Sequence, residues 1–429
     1  MTNPFASRSD CLLSFDATDG MPVMRSGQAM TFARASSGTF IDSAGRVALA
    51  ASHQPRISYG GTAFDTPGYL AEPSSSQLLL RSADPSHAYY TRSNIGSVVQ
   101  STVVAAPDGT FSYKVFEDTT SGTHLLTATA ITVASGSYGT FSVFIKAGER
   151  SRLYFGFEDG ANACYATARL DLGTISSAVA GTATTQDSGL QSLGGGWYRA
   201  WVTGRCGAAI TSLTCRMFML DNTGASSYVG ATTNGIYLWG MDYQAGTTDG
   251  AVLRSHIPTV AATVTRNADS LTLTPGCQLP DSFTIYVKIE KPLWWLHTGV
   301  VPASACASGG SSSPRWECSL STSSRIFSGS WYDGTTTVEA TGTPTLAASL
   351  DMITQFDSIR TLGGRVRVDT GAGLSAYSAR VVPVADIGAT RSTAIGDWAY
   401  SAGNGGSCPI QALRLVSGLR TLDEMRGRR

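Results

Sequence analysis

Short runs in which apolar and polar residues alternate dominate the chain from Gln77 onward. Alternation with a period of two places the apolar side chains on one face of an extended strand, so each run predicts a half-buried strand. Gly, Asn or Asp separates neighbouring runs, as is typical of turns between antiparallel strands. The clearest runs in the middle of the chain are 112–118, 124–134, 139–148, 151–159, 164–172, 196–204, 213–221 and 235–246.

A second set of alternating runs follows residues 255–276, a stretch that contains two prolines. The segment 303–317 within this set is polar and predicts a loop. One short helix is expected at the end of the chain, where Thr421 caps residues 422–425 and two acids lie in the first turn. The predicted strands of this set are 281–291, 325–334, 335–342, 352–359, 365–371 and 378–390.

These patterns predict an all-β protein with two antiparallel β-sandwich domains, jelly-roll-like, in series after an extended N-terminal segment. The predicted boundaries are 1–70 for the docking segment, 71–275 for the first sandwich and 276–429 for the second. The composition agrees with short strands and many turns, because Gly occurs 47 times and only 14% of the residues are charged.

The N-terminal segment combines isolated aromatic residues and arginines with a background of Ser, Ala and Gly. Such a segment is expected to serve assembly: the aromatics would anchor in pockets of a neighbouring subunit, and the guanidiniums would pair with its carboxylates. The alternative is that the segment contributes edge strands to the first sandwich. The candidate assembly residues are Phe32, Arg34, Phe40, Arg46 and Arg56.

Charge and hydropathy exclude several classes of partner. The formal net charge is zero, so no long-range field favours nucleic acid or an anionic membrane. No apolar run has the length of a signal peptide, and none approaches the roughly 20 residues that span a bilayer. We therefore expect a soluble protein that is made in the cytoplasm and not exported by the usual route, with no nucleic-acid partner and no membrane insertion.

Candidate catalytic and metal chemistry is sparse. The five histidines are scattered, and no nucleophile elbow, zinc-protease helix or phosphate loop occurs, so no enzyme activity and no cofactor is predicted. The acidic loops 157–160 and 220–224 offer oxygen ligands for calcium. Asp and Asn in turns also hydrogen-bond their own backbone, which is the more common arrangement.

Eight cysteines are present, and none forms a C-x-x-C pair. Buried free thiols are the favoured interpretation. Disulfides are the alternative, and Cys206 with Cys215 and Cys306 with Cys318 have spacings that a hairpin closes.

Aromatic residues of the C-terminal half suggest a carbohydrate site, because sugar rings stack on exposed aromatic faces while polar side chains fix the hydroxyl groups. The alternative is that these residues belong to the core or an interface. Trp197 and Trp201 are expected to be core. The candidate carbohydrate-binding residues are Trp295, which follows Trp294 directly, and Trp316, Trp331, Tyr332 and Asp333.

Several motifs resemble a recurring N-terminal module of bacteriophage structural proteins. The family pattern reads approximately F-x-R-A-S-x-x-T-[FY]-x-D-x-x-G, then P-R, then G-L-L-x-E-x-x-x-x-N-L-L. Gln77 stands where the family has Asn. The matching positions of this chain are Phe32, Arg34, Ala35, Ser36, Thr39, Phe40, Asp42, Gly45, Pro55, Arg56, Gly68, Leu70, Glu72, Leu78 and Leu79.

Four later segments fit the same family in the same order, so the resemblance covers residues 30–275. The family is described as phage head spike or fibre domain proteins, also found in tail fibres and in the head spikes of gene transfer agents. Residues 276–429 resemble concanavalin A-like or laminin-G-like sandwiches. The four segments are FSVFIKAGER (141–150), GGWYRAWVT (195–203), IYLWGMDYQAG (236–246) and HIPTVAATVTRNAD (256–269).

The resemblance implies a virion surface protein with a carbohydrate-binding-module-like jelly roll, and it supplies no catalytic residues. We predict a spike or fibre that attaches the particle to bacterial surface polysaccharide. Its partners would be other virion proteins and further copies of itself, as a trimer or pentamer. The alternatives are a head or tail adaptor that binds only virion proteins, and a capsule depolymerase that uses paired carboxylates.

Overall fold

A computed structural model of the chain shows an all-β protein built from antiparallel sheets, which confirms the predicted fold class. The structure describes residues 11–17, 23–24, 30–60, 63–161, 163–174, 176–246, 253–273, 282–290, 299–306, 315–321, 326–332, 335–343, 349–357, 365–370, 374–378, 392–395 and 408–426.

Seventeen strands are described up to residue 171. They are β1 (Cys11–Asp16), β2 (Val23–Met24), β3 (Met30–Ala33), β4 (Gly38–Ile41), β5 (Val47–Ala50), β6 (Ile57–Gly60), β7 (Thr66–Ala71), β8 (Ser75–Gln77), β9 (Tyr90–Ser93), β10 (Ile95–Ala105), β11 (Phe111–Glu117), β12 (Ser121–Gly122), β13 (His124–Ala128), β14 (Ile131–Thr132), β15 (Tyr138–Lys146), β16 (Arg152–Glu158) and β17 (Tyr165–Asp171).

The remaining strands and one short helix follow. They are β18 (Ser176–Gly181), β19 (Thr184–Ser192), β20 (Tyr198–Arg205), β21 (Ser212–Met219), β22 (Tyr228–Val229), β23 (Gly235–Gly246), β24 (Val264–Arg266), β25 (Ser270–Leu273), β26 (Phe283–Glu290), β27 (Gly299–Cys306), β28 (Arg315–Ser321), β29 (Ile326–Tyr332), β30 (Thr337–Gly342), β31 (Ser349–Asp357), β32 (Arg365–Asp369), β33 (Ser392–Ile395), β34 (Cys408–Ser417) and α1 (Leu422–Arg426).

The chain divides into two compact units. The central unit comprises residues 41–49 and 75–266, and the composite unit comprises residues 1–40, 50–74 and 267–429. The central unit falls largely within the sandwich predicted for 71–275. From its sequence, the N-terminal segment 1–70 is expected to form a separate docking segment or to edge the first sandwich. Its residues 1–40 and 50–70 instead belong to the same unit as the C-terminal part of the chain, and residues 41–49 belong to the central unit.

The central unit packs two sheets face to face. One has the strand order β10-β11-β23-β15-β20-β19, and the other has the order β18-β17-β16-β21-β13-β9. The inner strands of both sheets contribute alternate apolar side chains to the shared core, as the period of two predicted. Core residues from the two sheets include Phe141, Val143, Val202, Phe155, Phe157 and Met217.

The composite unit draws its strands from both ends of the chain. One sheet has the order β2-β1-β34-β26-β31-β32, with β7 also pairing β34, and the other has the order β3-β25-β33-β27-β28-β29-β30. Strand β1 pairs β34 so that Phe15 lies opposite Leu413. Strands distant in sequence pair here because burying their apolar faces outweighs the entropy of closing a long loop, which grows only slowly with loop length.

The C-terminal helix forms as predicted. The Thr421 hydroxyl accepts a hydrogen bond from the Glu424 N–H at 3.3 Å, and the Glu424 carboxylate accepts one from the Thr421 N–H at 2.8 Å. This reciprocal pair is a capping box. Leu422 and Met425 then bury their side chains against Tyr286 and Ile353.

The structure corrects one predicted loop. Residues 303–306 and 315–317 are not loop but belong to β27 and β28, which pair with Ala305 opposite Trp316. Polar residues adopt strand geometry when a neighbouring strand supplies their backbone hydrogen bonds. Polar composition alone therefore does not distinguish a loop from such a strand. The predicted strand 378–390 lies almost entirely outside the described residues.

One disulfide joins Cys164, just before β17, to Cys206, just after β20. The spacing-based pair Cys206–Cys215 is therefore wrong, and Cys215 is a buried free thiol. Cys318 is a second buried free thiol, so the pair Cys306–Cys318 is also absent. Spacing along the chain favoured a local hairpin, whereas the fold brings strands of two different sheets together. Within the described residues, no helix has the length and apolar character needed to cross a membrane.

Candidate functional site

The outer face of one central-unit sheet is the candidate functional site. The inward residues of β16, β17, β21 and β13 fill the core, so the alternate residues point away from it. Those outward residues are rich in aromatic and arginine side chains, an unusual choice for an ordinary polar surface. The exposed side of this sheet is hereafter called the outer face.

A row of four side chains crosses the outer face at one level. Tyr154 on β16 lies opposite Arg169 on β17 and Phe218 on β21, and Phe218 lies opposite Leu125 on β13. The rings of Tyr154 and Phe218 have their centroids 5.2 Å apart, and the Arg169 guanidinium carbon lies 5.1 Å from the Tyr154 ring centroid. Neighbouring strands are about 4.8 Å apart, so the row extends roughly 14 Å.

The next level along the strands is set by Gly156. This residue lies opposite Thr167 and Arg216, and a Cβ added to it would lie 2.2 Å from the Ala166 carbonyl oxygen. Only glycine therefore permits the close approach of β16 and β17 at this point. The outer face therefore carries no side chain at this position, one level along β16 from Tyr154.

Ion pairs fix the charged residues on both sides of Gly156. Arg216 pairs with Glu158, one level further along β16. Arg152 pairs with Asp171 at 2.8 Å at the opposite end of the face. Both pairs are partly solvent-exposed, so each is expected to hold the geometry of the side chains more than to stabilise the fold.

The loop between β21 and β22 borders the face and holds Arg169. The Asp221 carboxylate accepts hydrogen bonds from the N–H groups of Thr223 and Ala225 at 2.9 and 2.8 Å, which closes the loop into a tight turn. Gly224 has a φ of 91°, a conformation that favours glycine. Its carbonyl accepts a hydrogen bond from Nη1 of Arg169 at 2.9 Å.

This arrangement suits recognition of a flat, hydroxyl-rich ring. Half-buried aromatic faces supply apolar area at low entropic cost, because each ring is already fixed by its neighbour. Guanidinium and carboxylate groups on either side supply donors and acceptors for hydroxyl groups. A polymer can lie along this row, because the row is open at the surface of the sheet and is not enclosed in a pocket.

The hydrogen bonds of Asp221 also bear on calcium. The backbone N–H of Cys164 donates to the Asp159 carboxylate at 2.9 Å, so both acidic loops use a carboxylate oxygen for their own turns. No cluster of metal-ligating side chains occurs among the described residues.

The carbohydrate residues predicted from sequence lie elsewhere, in the composite unit. Trp331 is 0% exposed, so it presents no ring face to a sugar, and its proposed role is corrected to a core residue. Trp316 lies opposite it on β28, and Tyr332 at the end of β29 is half-buried. Asp333 and Trp295 lie outside the described residues. Trp197 and Trp201 are buried, as predicted.

Two of the predicted assembly arginines instead hold the composite unit together. Arg34 pairs with Asp269 at 2.8 Å, and Arg56 pairs with Glu72 at 2.8 Å and also with Asp269. All four side chains are almost completely buried. Their expected pairing with a neighbouring subunit is corrected, because both guanidiniums are buried and already pair with carboxylates of the same chain.

The other assembly candidates lie nearer the surface. Phe32 is half-buried and meets Tyr69 edge to face, with ring centroids 6.3 Å apart. Phe40 on β4 is also half-buried. Arg46 is exposed and pairs with Asp42 at 2.9 Å in the turn between β4 and β5. Their role in assembly stays a prediction.

Other residues quoted for the family resemblance form a second buried polar cluster, in the central unit. The Asp242 carboxylate lies 3.0 Å from Nδ1 of His256 and accepts a hydrogen bond from the Gln244 side chain at 2.9 Å. Arg199 donates to the Ser142 hydroxyl at 2.9 Å and to the Arg254 carbonyl at 2.6 Å. These motif residues therefore stabilise the fold, and the outer face does not contain them.

Sequence reasoning missed the outer face. Tyr154 and Phe218 lie inside runs that the alternation assigned to strands, but at the positions reserved for polar residues. An aromatic residue on the polar side of a half-buried strand can indicate a binding surface, because its ring faces away from the hydrophobic core. Only the register shows that the two rings and Arg169 share one row.

Comparisons with known proteins do not identify a family for this chain. A scan against models of protein families and a search of curated proteins each returned no match. Among solved structures, domains LG4-5 of the mouse laminin alpha1 chain match with a TM-score of 0.23 and 12% identity, over 85% of this chain and 93% of that chain. A match at that score carries no argument, so the assignment of function rests on the outer face.

Proposed function

We propose that this chain is a carbohydrate-binding attachment protein on the surface of a virus-like particle, and that it binds bacterial surface polysaccharide without cleaving it. The observation that carries the proposal is the row of Arg169, Tyr154 and Phe218 on the outer face. Aromatic faces beside a restrained guanidinium combine apolar area with hydrogen-bond donors, and a sugar ring with its hydroxyl groups can use both.

The separation of the carboxylates on the outer face favours binding over hydrolysis. Glu158 and Asp171 belong to levels of the sheet that are six residues apart along β16. At about 3.4 Å per residue, this places them roughly 20 Å apart. Glycosidases need two carboxylates about 5–10 Å apart, so this pair does not fit a glycosidase.

The virion role rests on the sequence resemblance. Several of the motif residues lie in the two buried polar clusters, so the resemblance supports a shared architecture. Other virion proteins and further copies of this chain, as a trimer or pentamer, are the proposed assembly partners. Several copies with weak sites would gain affinity through avidity.

The experiment compares binding of three proteins to host cells with and without their capsule: the wild type, Tyr154→Ala and Phe111→Ala. Phe111 is a matched control because it is an exposed aromatic residue on the other sheet. We expect the wild type and the control to bind only capsulated cells, and Tyr154→Ala to lose most of that binding. No sugar fragments should appear in the supernatant.

Two results would overturn the proposal: failure of the wild type to bind capsulated cells, or wild-type binding by Tyr154→Ala with its fold intact by circular dichroism. Released fragments would instead support a depolymerase.

A second candidate function, an adaptor that binds only virion proteins, is favoured by strand β10. It lies at the edge of its sheet, contains no charged residue or proline, and exposes Val99 and Val103. Natural edge strands usually carry charges that prevent further strand pairing. Val103→Lys should block particle incorporation and spare capsule binding if β10 docks to a virion protein; normal incorporation would exclude this edge.

A further inference from the structure

We propose that the sugar polymer bound by the outer face is acidic, and that Arg169 binds its anionic group. This inference rests on the proposed function and adds the ligand class. It starts from the charges of the face, which carries three guanidiniums and two carboxylates: Arg152, Arg169, Arg216, Glu158 and Asp171.

Two of the three guanidiniums already have carboxylate partners. Arg152 pairs with Asp171, and Arg216 pairs with Glu158. Arg169 differs from both: among the residues that the structure describes, no carboxylate lies within ion-pair distance of it. The outer face therefore has one positive charge that an anion can neutralise.

The geometry of Arg169 is that of a prepared site. Its side chain is exposed, yet the Gly224 carbonyl and the Tyr154 ring both restrain it. The bond to Gly224 is the one hydrogen bond of this guanidinium within the described part of the chain, and it uses one of five N–H donors. The remaining donors can bind a carboxylate or sulfate in the two-pronged manner typical of arginine.

Arg169 lies close enough to Tyr154 to contact an acidic group on a sugar that stacks there. Arg169 and Tyr154 are direct partners on neighbouring strands, roughly 5 Å apart. A sugar ring that stacks on the Tyr154 and Phe218 side of the row would place a substituent at its rim within reach of the guanidinium. Neutral polymers would gain the stacking contact alone.

Arg205 provides a matched control. It donates Nε to the Gly136 carbonyl at 2.9 Å, and its guanidinium carbon lies 5.2 Å from the Tyr138 ring centroid. Like Arg169, it therefore donates to a glycine carbonyl and lies near a tyrosine ring. Arg205 differs in its location, because it lies on β20, in the other sheet. Its replacement removes the same charge and the same kind of contacts away from the outer face.

The test measures the dissociation constants of the wild type, Arg169→Gln, Arg169→Lys and Arg205→Gln for alginate, hyaluronan and polygalacturonate. Each of these polymers is compared with its carboxyl-reduced, neutral counterpart. Dextran sulfate is compared with dextran. We expect the wild type to prefer at least one polyuronate or dextran sulfate over its neutral counterpart by about tenfold or more. Arg169→Gln should abolish that preference, Arg169→Lys should keep part of it, and Arg205→Gln should behave as the wild type.

Preference for the carboxylated polymers over dextran sulfate would identify a uronate, and the reverse would identify a sulfated sugar. Equal binding of charged and neutral polymers, or a preference that Arg169→Gln retains, would overturn the acidic-ligand inference and leave the proposed function intact. Failure to bind any charged polymer here, together with capsule binding in the cell experiment, overturns the inference alone. Failure in both experiments overturns the proposed function as well.

Discussion

The guanidinium of Arg34 donates to Oδ1 of Asp269 at 2.8 Å, across 235 residues of sequence. Arg56 pairs with the other oxygen of the same carboxylate, and Glu72 completes the cluster. Two N-terminal arginines thus share one acid that follows the central unit in sequence. This cluster ties the N-terminal strands to the C-terminal ones, so the composite unit depends on it.

Removal of Arg56 should strongly destabilise the composite unit. Arg56→Met removes the buried guanidinium that pairs with Glu72 and Asp269, which costs about 3–5 kcal/mol. Arg46→Met is the control, because its ion pair is exposed and is worth roughly 0–1 kcal/mol. Urea unfolding followed by tryptophan fluorescence measures both values. A cost within 1 kcal/mol of the control would show that the cluster does not hold the unit together.

A side chain at residue 156 should disrupt the outer face. The Cβ of Gly156→Ala would lie 2.2 Å from the Ala166 carbonyl oxygen, so β17 must move away, at an expected cost of about 1–3 kcal/mol. Gly160→Ala is the matched control, because a Cβ there meets no atom within 4 Å. Thermal unfolding measures stability, and capsule binding reports the displacement of β17. Equal melting temperatures for the two variants would contradict the structure at this point.

The central unit should lose stability in acid through Glu117. Burial alone would raise the pKa of Glu117, but hydrogen bonds from Arg150, Tyr228 and the Ala231 N–H outweigh it and lower the pKa below its ordinary 4.5. A carboxyl whose pKa is lowered by folding stabilises the protein above its unfolded pKa, and that contribution disappears as pH falls through the folded pKa. Burial and the bond to Glu117 raise the pKa of Tyr228, which therefore stays protonated and donating.

The measurement is the free energy of unfolding of the wild type and Glu117→Gln between pH 7 and pH 3. The wild type should be the more stable at pH 7, and the difference should shrink below about pH 4.5. A constant difference across this range would show that Glu117 does not titrate with a lowered pKa.

The disulfide should stabilise the central unit. Cys164 and Cys206 are 42 residues apart, and a cross-link of that span contributes about 2–4 kcal/mol, chiefly by restricting the unfolded chain. Cys206→Ser, or reduction of the wild type, should lower the melting temperature, whereas reducing agent should not affect the melting of Cys206→Ser further. Peptide mapping of the unreduced protein must recover Cys164 joined to Cys206; free thiols at both positions would disprove the bond.

Trp331 should matter for stability and not for sugar binding. Its indole is fully buried in the composite unit, so Trp331→Phe should cost about 1–3 kcal/mol through lost packing. Its half-buried neighbour offers a milder control, Tyr332→Phe. Both variants should bind capsulated cells as the wild type does. Weakened binding by Trp331→Phe at unchanged stability would restore the original site prediction.

The positions of many strands could be predicted from the sequence. The run 235–246 coincides with β23, and 139–148 and 151–159 differ from β15 and β16 by only one or two residues at each end. Among the longer strands of the central unit, the prediction missed β10, β18 and β19. These strands lie at sheet edges, where both faces meet solvent in part and the alternation weakens.

The fold class, many strand positions and the capped helix at Thr421 were predictable from sequence, because alternation, turn residues and caps act between residues close along the chain. Only the tertiary structure decided the partners of those elements. Arg34 and Arg56 carried the sequence signal of an assembly segment, and their carboxylates lie up to 235 residues away. The row of Arg169, Tyr154 and Phe218 likewise exists only through strand register, since a shift of one residue would turn each side chain to the opposite face.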